Sequence, residues 1–311
     1  MAILHRFRRP PPRIIWVTGS GTEVGKTTVA AALVRVLNRR GYPTTAFKPY
    51  AAGLLAEMPE RQAWRDPALT GPEVGHDAIQ LANASPLTFG YFDLVAPVQF
   101  VCFPDFTKTV MARAGSTLLD NRRYFRPEVP LEIADPDARA ALVESLGLAL
   151  ADAVPLPGLN FRDAGKIAPD LPVAAFRRLL RLRPHTIVIE GATKFIPSFR
   201  GGLPIDHLVY LERPAITVHP AVHRPQPRFR AQSQLVTNDQ LIRSLAEAGH
   251  PPIALTLPEA AEDRQEAVAD AMAAEILSHI VCTESRWARF RSAVWLLARR
   301  RRTLAPPSSA R

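Results

Sequence analysis

Short apolar runs and segments of helical periodicity alternate along the N-terminal part of the chain. Arg13–Val17 is an almost continuous apolar run, as expected for a strand buried on both faces of a parallel sheet. Apolar side chains then recur at helical spacing from Thr27 until Gly41, a residue typical of a helix end. Thr44–Tyr50 is predicted to be a second strand. This order predicts a βαβ unit whose first turn lies at the carboxyl edge of the sheet.

The same alternation continues toward the C-terminus. Asp77–Ala84 is expected to open a helix, and the pattern predicts further elements: helices at 137–153 and 238–250, and strands at 185–192, 215–219 and 252–259. The stretch at 104–184 is rich in Pro and Arg and is interpreted as an enlarged insert. Alternating strands and helices predict an α/β fold, with a single doubly wound, mostly parallel sheet and helices on both faces.

Positive charge is concentrated at the two ends of the chain. The 311 residues include 39 Lys and Arg against 29 Asp and Glu, a net charge of +10. Four arginines lie in residues 1–13 and eight in 285–311, without any acid, so the remainder holds 27 basic against 29 acidic residues. A nearly neutral body offers no groove for a phosphate backbone, and nucleic acid is not expected as a partner. We predict a basic tail at 1–12, one domain at 13–284 and a basic segment at 285–311.

The basic C-terminal segment has the pattern of an amphipathic helix. Its apolar positions recur at helical spacing at Trp287, Phe290, Val294 and Leu297, and Arg289 and Arg291 lie largely away from them. Such a helix could make a weak contact with an anionic membrane surface or with a protein. A final helix packed on the domain and followed by an arginine-rich tail explains the pattern as well.

The cysteine content and the hydropathy of the chain indicate in which cellular compartment the protein is expected. Cys102 and Cys282 are far apart in sequence, and neither has a CxxC pattern or a histidine at ligand spacing. This argues against a disulfide framework and against a zinc site. No apolar run approaches the roughly 18–20 residues that span a bilayer. A cytoplasmic protein is expected.

The stretch TGSGTEVGKTT, Thr18–Thr28, follows the first predicted strand and is similar to a phosphate-binding loop. The usual pattern has four residues between its first Gly and Gly-Lys-Thr, whereas Gly19 is one residue too early. Glycines let the backbone approach an anion, and the next helix offers free N–H groups and a positive dipole end. The predicted nucleotide-binding residues are Gly21, Thr22, Glu23, Val24, Gly25, Lys26, Thr27 and Thr28. Among these, Lys26 is expected to reach the β- and γ-phosphates, and the Thr27 hydroxyl to hold Mg²⁺.

Three further charged residues are candidates for chemistry with that nucleotide. Glu190 ends a predicted strand, so it is expected at the same sheet edge as the loop and could bind Mg²⁺. Asp77 starts a predicted helix and could either cap this helix or bind the metal. Lys48 follows the second strand and could neutralise charge on a transferring phosphoryl group, although lysines at such places are also common on surfaces.

Together these segments resemble the dethiobiotin synthetases, whose glycine loop has five residues between its first Gly and Gly-Lys-Thr. Gly19 and Gly25 reproduce this spacing. Phe47–Gly53 is similar to the Lys-Pro segment of the family, His76–Ser85 to its Asp-Ala helix start, and Val188–Ala192 to its Glu-Gly-Ala strand end. The loop therefore matches a variant of the phosphate-binding pattern.

The resemblance implies an ATP- and Mg²⁺-dependent carbon–nitrogen ligase on a P-loop NTPase fold, with homodimeric family members. Such enzymes use ATP and CO₂ to close a cyclic urea on a diamine: the carbamate is phosphorylated, and the second amine displaces phosphate. The roles implied by position are phosphate binding by Lys26, Thr22 and Glu23, Mg²⁺ binding by Thr27, Asp77 and Glu190, and catalysis by Lys48 with Lys26. A small, amine-bearing substrate is expected.

The substrate side of the chain departs from the family. Ala52 stands where the family has Ser, Thr193 and Lys194 replace two glycines, and the basic stretch His219–Gln232 replaces an Asn-His loop. No Asn-Asp pair follows the last predicted strand. The arginines of His219–Gln232 could bind a carboxylate or phosphate, or lie in an exposed loop without a role. We expect the ATP chemistry to be retained while the organic substrate differs.

Two other functions remain open on the sequence. A P-loop switch ATPase of the partition or carrier type would use the basic C-terminal helix to meet a membrane or a protein. Its signature Lys, five positions before the loop Lys, is Gly21 here, which counts against this function. The third candidate is a degenerate, non-catalytic homologue that serves as a scaffold.

Overall fold

The structure of the protein is a computed structural model. It describes residues 12–21, 24–54, 75–88, 92–102, 109–115, 123–128, 151–159, 170–191, 205–219, 252–256 and 264–280, together with residues 136, 140, 240, 242 and 243. Residues 1–11 of the predicted basic tail and the predicted C-terminal helix lie outside the described residues, as do most of the helices predicted at 137–153 and 238–250. Within the described part, no helix is long and apolar enough to cross a bilayer.

The described residues include eleven strands, five α-helices and a short 3-10 helix at Pro86–Thr88. The strands are β1 Arg13–Gly19, β2 Thr44–Phe47, β3 Tyr50–Leu54, β4 Val98–Cys102, β5 Thr109–Ala114, β6 Arg123–Pro127, β7 Val154–Leu156, β8 Thr186–Glu190, β9 His207–Glu212, β10 Ala215–His219 and β11 Ile253–Thr256. The helices are α1 Lys26–Arg39, α2 His76–Asn83, α3 Phe92–Val95, α4 Asp170–Arg181 and α5 at 265–280. The strands predicted around β1, β8, β10 and β11 and the helices predicted around α1 and α2 are confirmed.

The first sheet has six strands in the order β11-β10-β9-β1-β8-β2. β1 lies between β8 and β9 and runs parallel to both, and β2 is parallel to β8. β10 is antiparallel to both of its neighbours, β9 and β11. Because β1 and β8 are adjacent and parallel, the turn after β1 and the carboxyl end of β8 meet at the same edge, as the βαβ pattern predicts.

The expectation of a single sheet is wrong, because the described strands form two sheets. The strand predicted at Thr44–Tyr50 is interrupted at Lys48 and Pro49: β2 ends before them, and β3 begins after them in a second sheet of order β3-β4-β5-β6-β7. Proline has no N–H for a strand ladder, and the Lys48 N–H donates to the Val95 carbonyl at 2.7 Å instead of continuing β2. The α/β class itself is confirmed, with two mixed sheets in which parallel pairs predominate.

Alternate side chains of β1 pack into two separate hydrophobic clusters, one on each face of the six-stranded sheet. Ile15 and Val17 lie in a cluster with side chains of α1 and α5, whereas Ile14 and Trp16 lie in a second cluster with side chains of α4. This alternation is what a strand buried on both faces requires. Helices therefore cover both faces of this sheet and leave its carboxyl edge as the place for a site.

Gly19 is required for the close approach of β1 to β9, which gives a prediction about stability. A Cβ at Gly19 would lie 2.5 Å from the Leu211 carbonyl oxygen and 2.9 Å from Val24 Cγ2. We expect Gly19→Ala to lower the free energy of unfolding by about 1–3 kcal/mol, because a backbone atom of the sheet must move. Urea unfolding measures the loss. Gly21→Ala is the matched control, since its nearest neighbour would be 3.9 Å away; an equal loss in both variants would contradict the explanation.

Candidate functional site

The loop after β1 leads directly into the N-terminus of α1. Ser20 N–H donates to the Leu211 carbonyl at 3.0 Å, which holds the start of the loop against β9. Gly25, with φ of 91°, is the left-handed residue before α1, a conformation that side chains disfavour. The Val29 N–H donates to the Gly25 carbonyl at 3.0 Å, and the N–H groups of the preceding first turn have no intrahelical acceptor. The loop and helix thus present donors suited to an anion.

Lys26, the first residue of α1, folds back over this loop. Its ammonium donates to the Gly21 carbonyl, and the residue is only 7 % exposed. Burial lowers the pKa of Lys26, Glu190 opposes this shift, and the positive charge of Lys48 adds to it. A bound anion would oppose both effects, so the position favours a negatively charged ligand.

Lys48, Asp77 and Glu190 form an ionic cluster at the carboxyl edge of the six-stranded sheet. The Lys48 ammonium lies 2.5 Å from Asp77 Oδ2 and 2.7 Å from Glu190 Oε1. The side chains of Lys48 and Glu190 are 9 % and 2 % exposed, whereas that of Asp77 is 41 % exposed. Glu190 is therefore the inner partner of Lys48, and Asp77 is the partner that faces outward.

Thr27 connects α1 to this cluster. Its hydroxyl donates to Glu190 Oε1 at 3.0 Å, and it also lies within hydrogen-bonding reach of Asp77. Glu190 Oε1 thus accepts from both Lys48 and Thr27, whereas Glu190 Oε2 is buried and has no hydrogen-bond partner among the described residues. A buried acceptor without a donor is costly and commonly marks the place of a ligand or ion.

Charge and burial act in opposite directions on the members of the cluster. Burial raises the pKa of Glu190, and the attraction of Lys48 only partly offsets this. Burial would also raise the pKa of Asp77, but the charge and hydrogen bonds of Lys48 outweigh it and the pKa is lowered. For Lys48, burial lowers the pKa, but the two carboxylates together raise it above its usual range. Lys48 is therefore a charged ammonium at neutral pH.

Asp77 belongs to the first turn of α2 and is not its N-cap. The cap position is Gly75, whose backbone is extended and which makes no side-chain capping bond. The possibility that Asp77 caps its own helix is therefore wrong. Its carboxylate instead binds Lys48.

The structure brings the described members of the predicted site together at one edge. Lys26, Thr27, Lys48, Asp77 and Glu190 interact with one another there. The described loop residues Gly21, Val24, Gly25 and Thr28 lie at the adjoining turn and helix start. The predicted residues Thr22 and Glu23, and the substrate-side residues Thr193, Lys194 and 220–232, lie outside the described residues.

Two residues beside the site were not predicted from the sequence. Gly75 is the N-cap of α2, and Gln99 is fully buried in β4, where its amide bonds the backbone of Gly75 and Ala96. The sequence did contain one indication of Gln99: it is a polar residue within the apolar run of β4. A buried side-chain amide needs hydrogen-bond partners for both its oxygen and its nitrogen, so such a residue indicates specific bonds.

The α/β fold, with a glycine-containing turn between β1 and α1, is consistent with a P-loop NTPase-like fold. Over 46 residues the chain is 54% identical to the ATP-dependent dethiobiotin synthetase BioD of Ralstonia nicotianae, covering 15% of this chain and 20% of that protein. It is 33% identical over 132 residues to the protein of the same name from Pseudomonas aeruginosa strain UCBPP-PA14, covering 42% and 50%. It is 41% identical over 64 residues to the protein of the same name from Bacillus thuringiensis strain Al Hakam, which covers 21% of this chain and 26% of that protein.

These similarities support a dethiobiotin synthetase-like family for the chain. The chain spans about half or less of the length of the curated relatives it matches. No family model matches the chain. No solved structure matches it significantly.

Proposed function

We propose that the protein is an ATP- and Mg²⁺-dependent carbon–nitrogen ligase resembling dethiobiotin synthetase. Its substrate is a small, amine-bearing molecule whose carbamate or carboxylate is phosphorylated before ring closure. The observation that carries the proposal is the buried Lys48 ammonium, held by Asp77 and Glu190 at the end of β8 and beside the start of α1. A charged lysine in a protected place beside an anion-binding loop is what phosphoryl transfer needs.

The loop and α1 are assigned the binding of the ATP phosphates. The N–H groups of the loop and first helical turn donate to phosphate oxygens, and Lys26 exchanges the Gly21 carbonyl for a phosphate oxygen. This exchange replaces a neutral acceptor by a charged one, so the hydrogen bond becomes stronger. Thr22 and Glu23 are proposed to take part through their position in the same loop.

The donor set fits Mg²⁺. The oxygens of Thr27, Asp77 and Glu190 are hard donors of the kind that Mg²⁺ prefers, and Glu190 Oε2 is a buried acceptor without a partner among the described residues. Within those residues no group of three or more His, Cys, Asp or Glu is present, so the remaining positions suit phosphate oxygens and water. When bound, Mg²⁺ would supply neutralisation of charge on the β- and γ-phosphates.

Lys48 is assigned the stabilisation of the transferring phosphoryl group. An ammonium has three N–H donors, and among the described residues Asp77 and Glu190 accept two of these. The third can donate to an oxygen of the γ-phosphate while a carbamate oxygen attacks phosphorus and ADP leaves. Attack of the second amine on the carbamate carbon then releases phosphate and closes the ring. Since Asp77 and Glu190 keep Lys48 charged and fixed, little reorganisation is required during transfer.

A coupled assay for ADP and phosphate tests the proposal. Purified protein with ATP, Mg²⁺, bicarbonate and diaminopelargonate should release one phosphate per ring closed, which mass spectrometry of the product counts. Lys26→Ala should weaken ATP binding, because it removes the charged donor at the loop, and phosphate release should fall by about 100-fold or more. Calorimetry with ATP measures the binding.

The outcomes separate the parts of the proposal. ATP binding with no turnover of diaminopelargonate would replace this diamine by another amine, as the substitutions at Ala52, Thr193 and Lys194 suggest. Absence of ATP binding would contradict the ligase and favour the non-catalytic scaffold. Full activity of Lys26→Ala would contradict the role given to the loop. Homodimer formation remains a prediction, which sedimentation velocity can check.

A further inference from the structure

We propose that Gln99 of the second sheet is a positioning residue that sets the places of Lys48 and Asp77, with the Arg113–Asp93 ion pair as its support. The catalytic consequence of this inference rests on the proposed function. Its structural part concerns this chain alone and can be tested without ATP or any substrate.

Gln99 bonds the two backbone segments that lie next to Asp77 and to the acceptor of the Lys48 N–H. Its side chain is fully buried; Nε2 donates to the Ala96 carbonyl at 2.9 Å and Oε1 accepts from the Gly75 N–H at 3.4 Å. The two partners fix the amide orientation, because a carbonyl needs a donor and an N–H needs an acceptor. One side chain thus connects residue 75, before α2, to residue 96, after α3.

Gly75 lies close in sequence to Asp77, and Ala96 lies next to the residue whose backbone binds Lys48. Gly75 is the cap of α2 and precedes Asp77 by two residues, and its carbonyl accepts from the N–H groups of Ala78 and Ile79. Ala96 follows Val95, whose carbonyl accepts the Lys48 N–H at 2.7 Å. A displacement at either end of the Gln99 amide therefore moves Asp77 or Lys48.

The second sheet also contacts the start of α2 directly. A Cβ at Gly75 would lie 2.9 Å from the carbonyl oxygen of Ala52 in β3 and 3.2 Å from the Ala52 carbonyl carbon. The absence of a side chain at Gly75 is thus what lets α2 begin against the second sheet. Asp77 consequently takes its position from this sheet, whereas Glu190 takes its position from the six-stranded sheet as the last residue of β8.

Arg113 and Asp93 form a buried ion pair next to Gln99. Arg113 faces Gln99 across the antiparallel β4–β5 pair, where directly opposed residues lie on the same face. Its guanidinium lies 2.7 Å from Asp93 Oδ1, and the two side chains are 2 % and 8 % exposed. Asp93 lies on α3 two residues before Val95. The ion pair links α3 to β5, and removing one partner would leave a buried charge unpaired.

The experiment compares Gln99→Met with Thr109→Val by amide hydrogen exchange of the full chain, without ligand. Met fills the volume of Gln but loses both amide bonds. Thr109 is the matched control: it is also buried in the second sheet, on β5, but its hydroxyl contacts Cys102 Sγ, away from the cluster. We expect the amides of Lys48, Ala78 and Ile79 to exchange about tenfold faster in Gln99→Met. Those in Thr109→Val should keep the wild-type rate.

Two results overturn the inference: unchanged exchange of these amides in Gln99→Met, or equal acceleration in both variants, which would mean a general weakening of the sheet. Should Gln99→Met not fold, Gln99→Asn decides. Asn keeps a neutral amide, but its shorter side chain cannot reach both the Gly75 N–H and the Ala96 carbonyl, so the amides on at least one side, Lys48 or Ala78 and Ile79, should exchange faster. Wild-type exchange of all three amides in Gln99→Asn would also overturn the inference.

Kinetics then separate this inference from the proposed function. Because phosphate binding is assigned to the loop and α1, Gln99→Met should lower kcat by about 100-fold, as expected for a displacement of about 1 Å, while the affinity for ATP measured without Mg²⁺ stays unchanged. An equal loss of this metal-free ATP affinity would overturn the positioning role. If the exchange results hold but the wild type itself turns over no amine, the ligase proposal has failed and the positioning of Lys48 and Asp77 stands.

Discussion

Replacing Lys48 with Met is expected to lower ATP-dependent phosphate release by about a thousandfold, while ATP still binds. Lys48 is charged, buried and held by two carboxylates, so it needs no reorganisation when charge develops on the phosphoryl group. A thioether of similar length fills the same space without that charge. Single-turnover quench-flow with saturating ATP isolates phosphoryl transfer from binding and product release.

Lys48→Arg is the control that separates the effect of the positive charge from the effect of the side-chain geometry. A guanidinium retains the positive charge but is planar and larger, so it cannot donate from the same point to Asp77 and Glu190. We expect Lys48→Arg to recover only a small part of the lost rate. Wild-type phosphate release by Lys48→Met would show that Lys48 has a structural role only, and loss of ATP binding in Lys48→Met would place Lys48 in the binding site for the nucleotide.

The part of the fold built from local signals could be predicted from the sequence. The apolar run of β1, the glycine loop and the periodicity of α1 are all contiguous, so they predict a βαβ unit and its functional edge. The carboxylate at the end of β8 could be placed at this edge because parallel strands share it. β9 has an apolar run of the same kind and was missed, although no different reasoning was needed to find it.

The second sheet was not predicted, because the pairing of its two outer strands depends on long connections that no local pattern marks. β3 pairs with β4 across more than forty residues, and β6 pairs with β7 with Phe125 opposite Val154, 29 residues later. One signal was present in the sequence: Pro49 has no N–H to donate to a strand ladder, which disfavours one continuous strand over Thr44–Tyr50. The bonds of Gln99 to Gly75 and Ala96 depend on this pairing, so the support of Lys48 and Asp77 was visible only in the structure.

The second large effect is expected for Glu190→Gln, which should strongly lower Mg²⁺-dependent turnover and yet stabilise the protein in the absence of ligand. Burial raises the pKa of Glu190 above its value in the unfolded chain. For an acid, this means that folding disfavours the ionised form, so the native state is least favoured at a pH above the folded pKa. Gln has no charge and can still accept from Lys48, which keeps Asp77 as its charged partner.

The stability difference should follow pH with a defined sign. Without ligand at pH 8, Glu190→Gln should have a higher Tm than the wild type. As the pH falls through the raised pKa of Glu190 and then through the ordinary range for Glu, the wild-type carboxyl becomes protonated and the difference should disappear. Glu212→Gln is the matched control, because Glu212 also ends a strand of the same sheet but is exposed; its Tm and turnover should equal those of the wild type.

Ligand should reverse the order of the two proteins. At 100 times its Kd, Mg²⁺-ATP stabilises a protein that binds it by about 2.7 kcal/mol, and Glu190→Gln should gain less, because it lacks the carboxylate assigned to Mg²⁺. Turnover of the variant should fall by about 100-fold or more. A lower Tm of the ligand-free variant at pH 8 would mean that the bond to Lys48 outweighs the desolvation of Glu190. Equal stabilisation of both proteins by Mg²⁺-ATP would remove Glu190 from the metal site, since a ligand that binds two proteins equally stabilises them equally.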